Sequence, residues 1–218
     1  MSFRFTSQFV LAAVLAPLLF GWSSPADGQI VADCGRLENA YGPFDYTNGK
    51  HRKDNLPIVE RFHFTARVEN LAAGESGTII GDLDYTLRAF PNHHRALYAM
   101  MRWQIKNPEP PATQYFPLTC YFDRAIAFKP TDAVPHLLYG MYLQTKGELE
   151  PALEKYKASL ALDSESAEAN YNIGLLYFQL KDYSHALEHA HTAYANGHQL
   201  PGLRNKLKRS GHWQNDPA

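Results

Sequence analysis

AVPHLLYGMYLQTKGELEPALEKYKASLALDSES (133–166) is followed directly by AEANYNIGLLYFQLKDYSHALEHAHTAYANGHQL (167–200), and the two segments share a register. Gly140 and Gly174 stand 34 residues apart, as do Ala152 and Ala186. That spacing is the period of a helix-turn-helix unit that stacks on copies of itself. A glycine lets the first helix of a unit, helix A, cross its neighbour closely. An alanine lets the second, helix B, pack against helix A, while larger residues fill the gaps between them. Position eleven is Leu143 in the first copy and Tyr177 in the second; the helix-B aromatic Tyr156 is reduced to Ala190 in the second.

These residues resemble the tetratricopeptide repeat family. The resemblance implies an all-α fold, a right-handed solenoid of about four helical hairpins. In this family a proline often ends helix B shortly before the next helix A. Pro130 precedes Ala133 in this way, and Pro91 precedes Ala96 and Leu97. The two prolines are 39 apart, five more than the period. The surplus falls in Asn107-Pro108-Glu109-Pro110-Pro111-Ala112-Thr113, which proline keeps from being helical. A third unit, 94–132, is therefore expected with an expanded inter-helix loop. A fourth, 58–93, is weaker: Phe64, Val68 and Leu71 have helical spacing, Gly74 and Gly77 punctuate, and Ile80–Leu87 leads to Pro91.

The ends differ from the middle. Arg4, the apolar stretch Phe9–Trp22 and the small residues Ala26 and Gly28 read as a signal peptide over 1–28. The apolar stretch is short for a membrane span, so no stable span is expected after cleavage. The alternative is an uncleaved signal anchoring the chain to the inner membrane. In an exported chain, Cys34 and Cys120 suggest one disulfide. Between signal and repeats, 34–57 reads as an irregular arm. Tyr41, Phe44 and Tyr46 lie among Gly42 and Pro43, which suits an extended segment that packs by its rings and covers the first repeat helix. A polar hinge follows at 48–54. Over 201–213, Leu203 and Leu207 share one face and Arg204, Lys206, Lys208 and Arg209 take the rest, the pattern of a solvated capping helix.

Charge is balanced at a formal −1, which gives no footprint for nucleic acid. The ten histidines invite a metal reading. His185 and His189 share a helix face, and His93 or His94 could meet His136 across adjacent units. The stretch His185-Ala186-Leu187-Glu188-His189 matches an inverted zinc-protease motif, but no glutamate follows to complete it. No Gly-x-Ser-x-Gly elbow or phosphate-binding loop occurs. Asp82 and Asp84 are two apart, so on a helix they do not face each other. No cofactor and no enzymatic activity are expected; an irregular site in the Asn107–Leu118 insertion is the one place a hydrolase or transferase reading could sit.

The repeat resemblance implies that helix A of each unit lines a concave groove. By repeat position the groove candidates are Arg95, Tyr98, Arg102, Val134, Leu137, Met141, Glu168, Tyr171, Asn172, Leu175 and Gln179. Asn172 matches a position whose amide often bonds a ligand backbone in peptide-binding members of the family, while the cations of a carboxylate clamp do not match around it. Leu200–Arg209, Tyr41–Tyr46 and Asp82–Leu97 also resemble segments of a group of exported bacterial proteins with this repeat, which implies a periplasmic setting. The expected function is a protein- or peptide-binding scaffold of the bacterial cell envelope, with a periplasmic metal- or small-ligand-binding protein as the alternative.

Overall fold

The computed structural model describes residues 30–31, 34–109 and 114–214; the expected signal segment lies outside them, and the anchored alternative with it. Eleven helices are described, in an all-α array of paired helices preceded by a two-residue ladder, β1 (Ile30–Val31) with β2 (Gly35–Arg36). The helices are α1 (Gly49–Asp54), α2 (Leu56–His63), α3 (Ala66–Glu69), α4 (Ile79–Ala89), α5 (His94–Lys106), α6 (Leu118–Phe128), α7 (Ala133–Thr145), α8 (Leu149–Leu162), α9 (Ala167–Gln179), α10 (Tyr183–Ala195) and α11 (Gly202–Arg209). None of them is long and apolar enough to cross a membrane.

Local chemistry sets these boundaries. Side chains at the N-caps accept from the orphan amides of the first turn: Asn48 for α1, Thr78 for α4, His93 for α5, Asp132 for α7, Ser166 for α9 and Asp182 for α10. Gly147 turns α7 into α8 at φ 81°, a left-handed conformation that costs glycine little. Its counterpart one period on is Lys181, held at φ 63° between α9 and α10.

The core runs along the array. Val68, Leu83, Leu97, Met100 and Phe122 fill its N-terminal part, and Leu137, Leu143, Tyr156, Ile173 and Leu176 the middle. Tyr171, Ala186, Ala190, Ala193, Leu203 and Leu207 close the C-terminal end. The small residues of the repeat work as spacers. The Tyr156 ring lies over Gly140, and Leu203 from α11 reaches Gly174. Beside Ala190, which leaves no aromatic ring in the second copy, α11 supplies that filling. Burial of Leu203 contributes about 2 kcal/mol.

The arm differs from its expected form. Its Tyr41, Phe44 and Tyr46 rings do pack on Leu56, Val59, Ala89 and Phe90, covering α2 and α4. Yet the polar hinge is helical: Asn48 caps α1, which buries no residue and so carries no apolar period to read. Similarly, α2 begins within the arm, at Leu56. The helix expected through Phe64, Val68 and Leu71 is broken into the end of α2 and the short α3, and Leu71 stands at φ 57°.

Cys34 and Cys120 are disulfide-bonded, tying the arm to α6. Beside the bridge, the fully buried Arg124 donates from Nη1 to the carbonyl oxygens of Cys34 at 2.9 Å and Arg36 at 2.5 Å.

Candidate functional site

Helices α7 and α9 are the A helices of the two strong units and pack side by side. Near their C-terminal ends the Gln144 amide donates to Gln179 Oε1 at 3.2 Å, while Gln144 Oε1 accepts from the Tyr156 hydroxyl at 2.8 Å. Next to this amide pair opens a cavity of about 530 Å³. Leu175, Phe178 and Gln179 of α9 line it, with Lys181 from the turn, Tyr183 from α10 and Lys206 from α11. The Phe178 and Tyr183 rings meet edge-on at 5.4 Å, and Lys206 Nζ stands 5.7 Å from the Phe178 centroid. The site combines an apolar floor, an amide wall and two ammonium groups. Lys206 also borders a shallower cavity of about 440 Å³ lined by Gly202, Asn205, Lys208 and Arg209, so the cationic rim continues along α11.

The residues assigned to the groove by repeat position fall in different places. Gln179 lines the cavity; Leu175 does too. Tyr171 is buried under the C-terminal end, stacked on His198 at 3.8 Å and abutting Gly202. Burial pushes its phenol above the ordinary range. Asn172 spends its amide hydrogens on its own helix, donating to the Glu168 carbonyl at 2.8 Å and Glu168 Oε1 at 3.1 Å. Leu137 is core, and Met141 packs between two core clusters. At the other end, Arg95 is committed to Glu69 and Glu60 and lies over the Phe64 ring. The Glu69 hydrogen bond raises the Arg95 pKa and lowers that of Glu69. Arg102 donates to the Glu69 carbonyl and covers the exposed Tyr98 ring at 5.1 Å. Gln144, Phe178, Lys181, Tyr183 and Lys206 line the cavity without being among the groove candidates. The turn register could have pointed to Lys181, whereas Lys206 belongs to a helix outside the repeat.

The histidines do not gather. Among the described residues no group of three or more His, Cys, Asp or Glu side chains could hold a metal ion. His185 pairs with Asp182 at 2.6 Å and His189 with Asn170 at 2.9 Å. His93 pairs with Glu60 and His94 with Asp132. The metal alternative is corrected on this ground: His93, His94, His185 and His189 each serve a local partner. Asp82 and Asp84 diverge as their spacing requires, Asp82 toward His63 and Asp84 toward Tyr121 and Arg88. The described part of the insertion borders a cavity of about 220 Å³ lined by Gln104, Ile105, Pro108, Tyr142, Thr145 and Lys146, a set without a nucleophile–base pair.

A TPR repeat family model matches residues 142–181. Among solved structures, the chain is similar to two crystal structures of MamA, each at 17% identity. One alignment covers 62% of this chain and 78% of the other with a TM-score of 0.45; the second covers 72% and 82% with a TM-score of 0.49. A MamA RS-1 ArsTM double mutant is 21% identical over 75% of this chain and 80% of that one, with a TM-score of 0.45. No curated protein matches. The chain thus carries a tetratricopeptide repeat within an all-α, solenoid-like array of paired helices.

Proposed function

We propose that this protein is a non-enzymatic scaffold of the bacterial cell envelope that holds an extended peptide segment of a partner in the groove between α7, α9 and α11. The observation that carries this reading is the Gln144–Gln179 amide pair beside an apolar floor. Primary amides donate and accept at once, which suits a peptide backbone, and Leu175 and Phe178 suit one apolar side chain. Lys181, Lys206, Lys208 and Arg209 favour an acidic residue next to it. The envelope setting rests on the apolar stretch Phe9–Trp22 and on a cysteine pair suited to an oxidising compartment.

A random peptide library selected on the full mature chain tests this. Enriched peptides should pair an apolar residue with acidic neighbours. Gln144→Ala with Gln179→Ala should weaken them at least tenfold without changing the helical circular dichroism spectrum, as should Lys206→Glu. Failure to enrich any peptide, or binding indifferent to all three substitutions, would overturn the reading.

A further inference from the structure

A second concavity lies at the N-terminal end and shares no residue with the groove. It has a volume of about 260 Å³ and is lined by Tyr41, Ile58, Val59, Phe62, His63 and Tyr85. Drug-sized ligands fill cavities of roughly 300 Å³ and above, so this one is scaled to a single large side chain. Its rim is apolar and exposed: Ile58 is 53% and Phe62 46% accessible, four residues apart on α2. Exposed apolar residues around a hollow are the surface that an anchoring aromatic covers.

One wall is polar and oriented. His63 stacks on Tyr85 at 3.8 Å, and its Nδ1 lies 2.9 Å from Asp82 Oδ1. Asp82 is buried and also accepts from the Glu75 and Ser76 amides, at 2.6 and 3.1 Å. A carboxylate already accepting from two amides accepts from His63 as well, which places the hydrogen on Nδ1. In the neutral ring Nε2 is then an acceptor. It has no partner among the described residues. Neither the repeat geometry nor the proposed groove explains a buried carboxylate that fixes a histidine tautomer beside an apolar hollow.

The geometry points to a docking site for a tyrosine side chain of a partner polypeptide, its ring held among Ile58, Phe62 and Tyr85 and its hydroxyl donating to His63 Nε2. The volume suits a single ring, and the oriented Nε2 of His63 offers an acceptor to a ring that carries a hydroxyl. Phenylalanine would fill the same space and leave the acceptor dry.

The test is a two-dimensional NMR titration of the mature chain with N-acetyl-tyrosinamide, N-acetyl-phenylalaninamide and p-cresol as probes. The tyrosine amide should move the signals of Ile58, Phe62, His63 and Tyr85, and should bind about two- to tenfold tighter than the phenylalanine amide. His63→Phe should erase that preference. Because His63 also supports Asp82, Ile58→Lys provides a second variant on an exposed residue, and it should abolish both amides. Equal affinity for the two amides would overturn the assignment. So would no response at these residues, or binding of p-cresol with exclusion of the tyrosine amide, which would assign the hollow to a small free phenol.

Discussion

The Tyr156 ring occupies the space that a side chain at residue 140 would need: a Cβ placed on Gly140 would lie 2.7 Å from two of its ring carbons. At the matching glycine one period on, Gly174, the close atom is the tip of Leu203 at 2.6 Å. A leucine methyl can rotate aside, whereas a ring wedged in the core and hydrogen-bonded to Gln144 cannot. Alanine gains about 1 kcal/mol of helix propensity at either site, and overpacking costs about 1–3 kcal/mol. Gly140→Ala should therefore destabilise by about 1–2 kcal/mol, and Gly174→Ala should be near neutral. Urea denaturation of the two variants checks the difference.

Lys181 pays for a left-handed backbone where the first copy has Gly147. Lys181→Gly should stabilise by about 0.5–1 kcal/mol by removing that strain, net of glycine's extra unfolded-state freedom. The same variant removes a groove ammonium, so stability should rise while affinity for an acidic peptide falls. A thermal melt paired with a titration separates the two effects.

His93 is fully buried, stacked on Tyr46 at 4.3 Å. Its Nδ1 accepts from the Ala96 amide at 3.2 Å and its Nε2 meets Glu60 at 3.2 Å, so the proton sits on Nε2. Burial, partly opposed by Glu60, holds the imidazole below its ordinary 6.5. The folded state thus binds a proton less readily than the unfolded state. Its stabilisation is complete above 6.5 and is lost as pH falls through 6.5 toward the lower folded value. Urea midpoints should drop over that window, and His93→Asn, which keeps an N-cap acceptor, should flatten the profile. The remaining slope belongs to His136 and His189, also lowered by burial. Asp45 acts at lower pH: burial opposes it, but hydrogen bonds from Thr47, Asn92 and Lys129 hold its carboxyl at about 2.

The Cys34–Cys120 bridge closes a long loop, its ends 86 positions apart in sequence. Cys34→Ser with Cys120→Ser should cost about 4–5 kcal/mol in the chain-entropy account. Arg124→Met strands the Cys34 and Arg36 carbonyls and should cost about 2 kcal/mol with the bridge intact. Without the bridge the arm is already loose, so the same substitution should cost less. A double-mutant cycle measured by denaturation reads that coupling.

Tyr171→Ala should behave as a core deletion, losing about 3 kcal/mol, because the ring lies beneath the cap against His198. A groove role would instead leave stability unchanged and weaken peptide binding.

What the sequence made legible follows from range. Gly140, Ala152, Gly174 and Ala186 announce the two hairpins because packing at a fixed period leaves a fixed spacing. Pro91 and Pro130 mark unit junctions because proline acts on its immediate neighbours. Hidden features depend on partners far along the chain. Asp82 finds His63 across the whole of α3 and its flanking loops, and Gln144 finds Gln179 across a unit boundary. Tyr171 counts as groove-facing by position and is covered only because α11 folds back on it. Helix α1 escaped for the opposite reason: it buries nothing, so hydrophobic periodicity is silent there.

Asn92 joins three stretches of chain through one side chain. Its amide donates to Asp45 and Asp132, each at 2.9 Å, and its oxygen accepts from the Tyr46 amide at 2.9 Å. Asp132 in turn starts α7. A load applied at the two ends therefore meets unequal resistance. The last hairpin and α11 are secured by nearest neighbours and can peel away in sequence, whereas the first half is riveted across its strands of chain and must give way at once. In an optical trap the molecule should lengthen by small early steps, and by one large rupture only once the Cys34–Cys120 bridge, which holds the first half in a closed loop, is reduced.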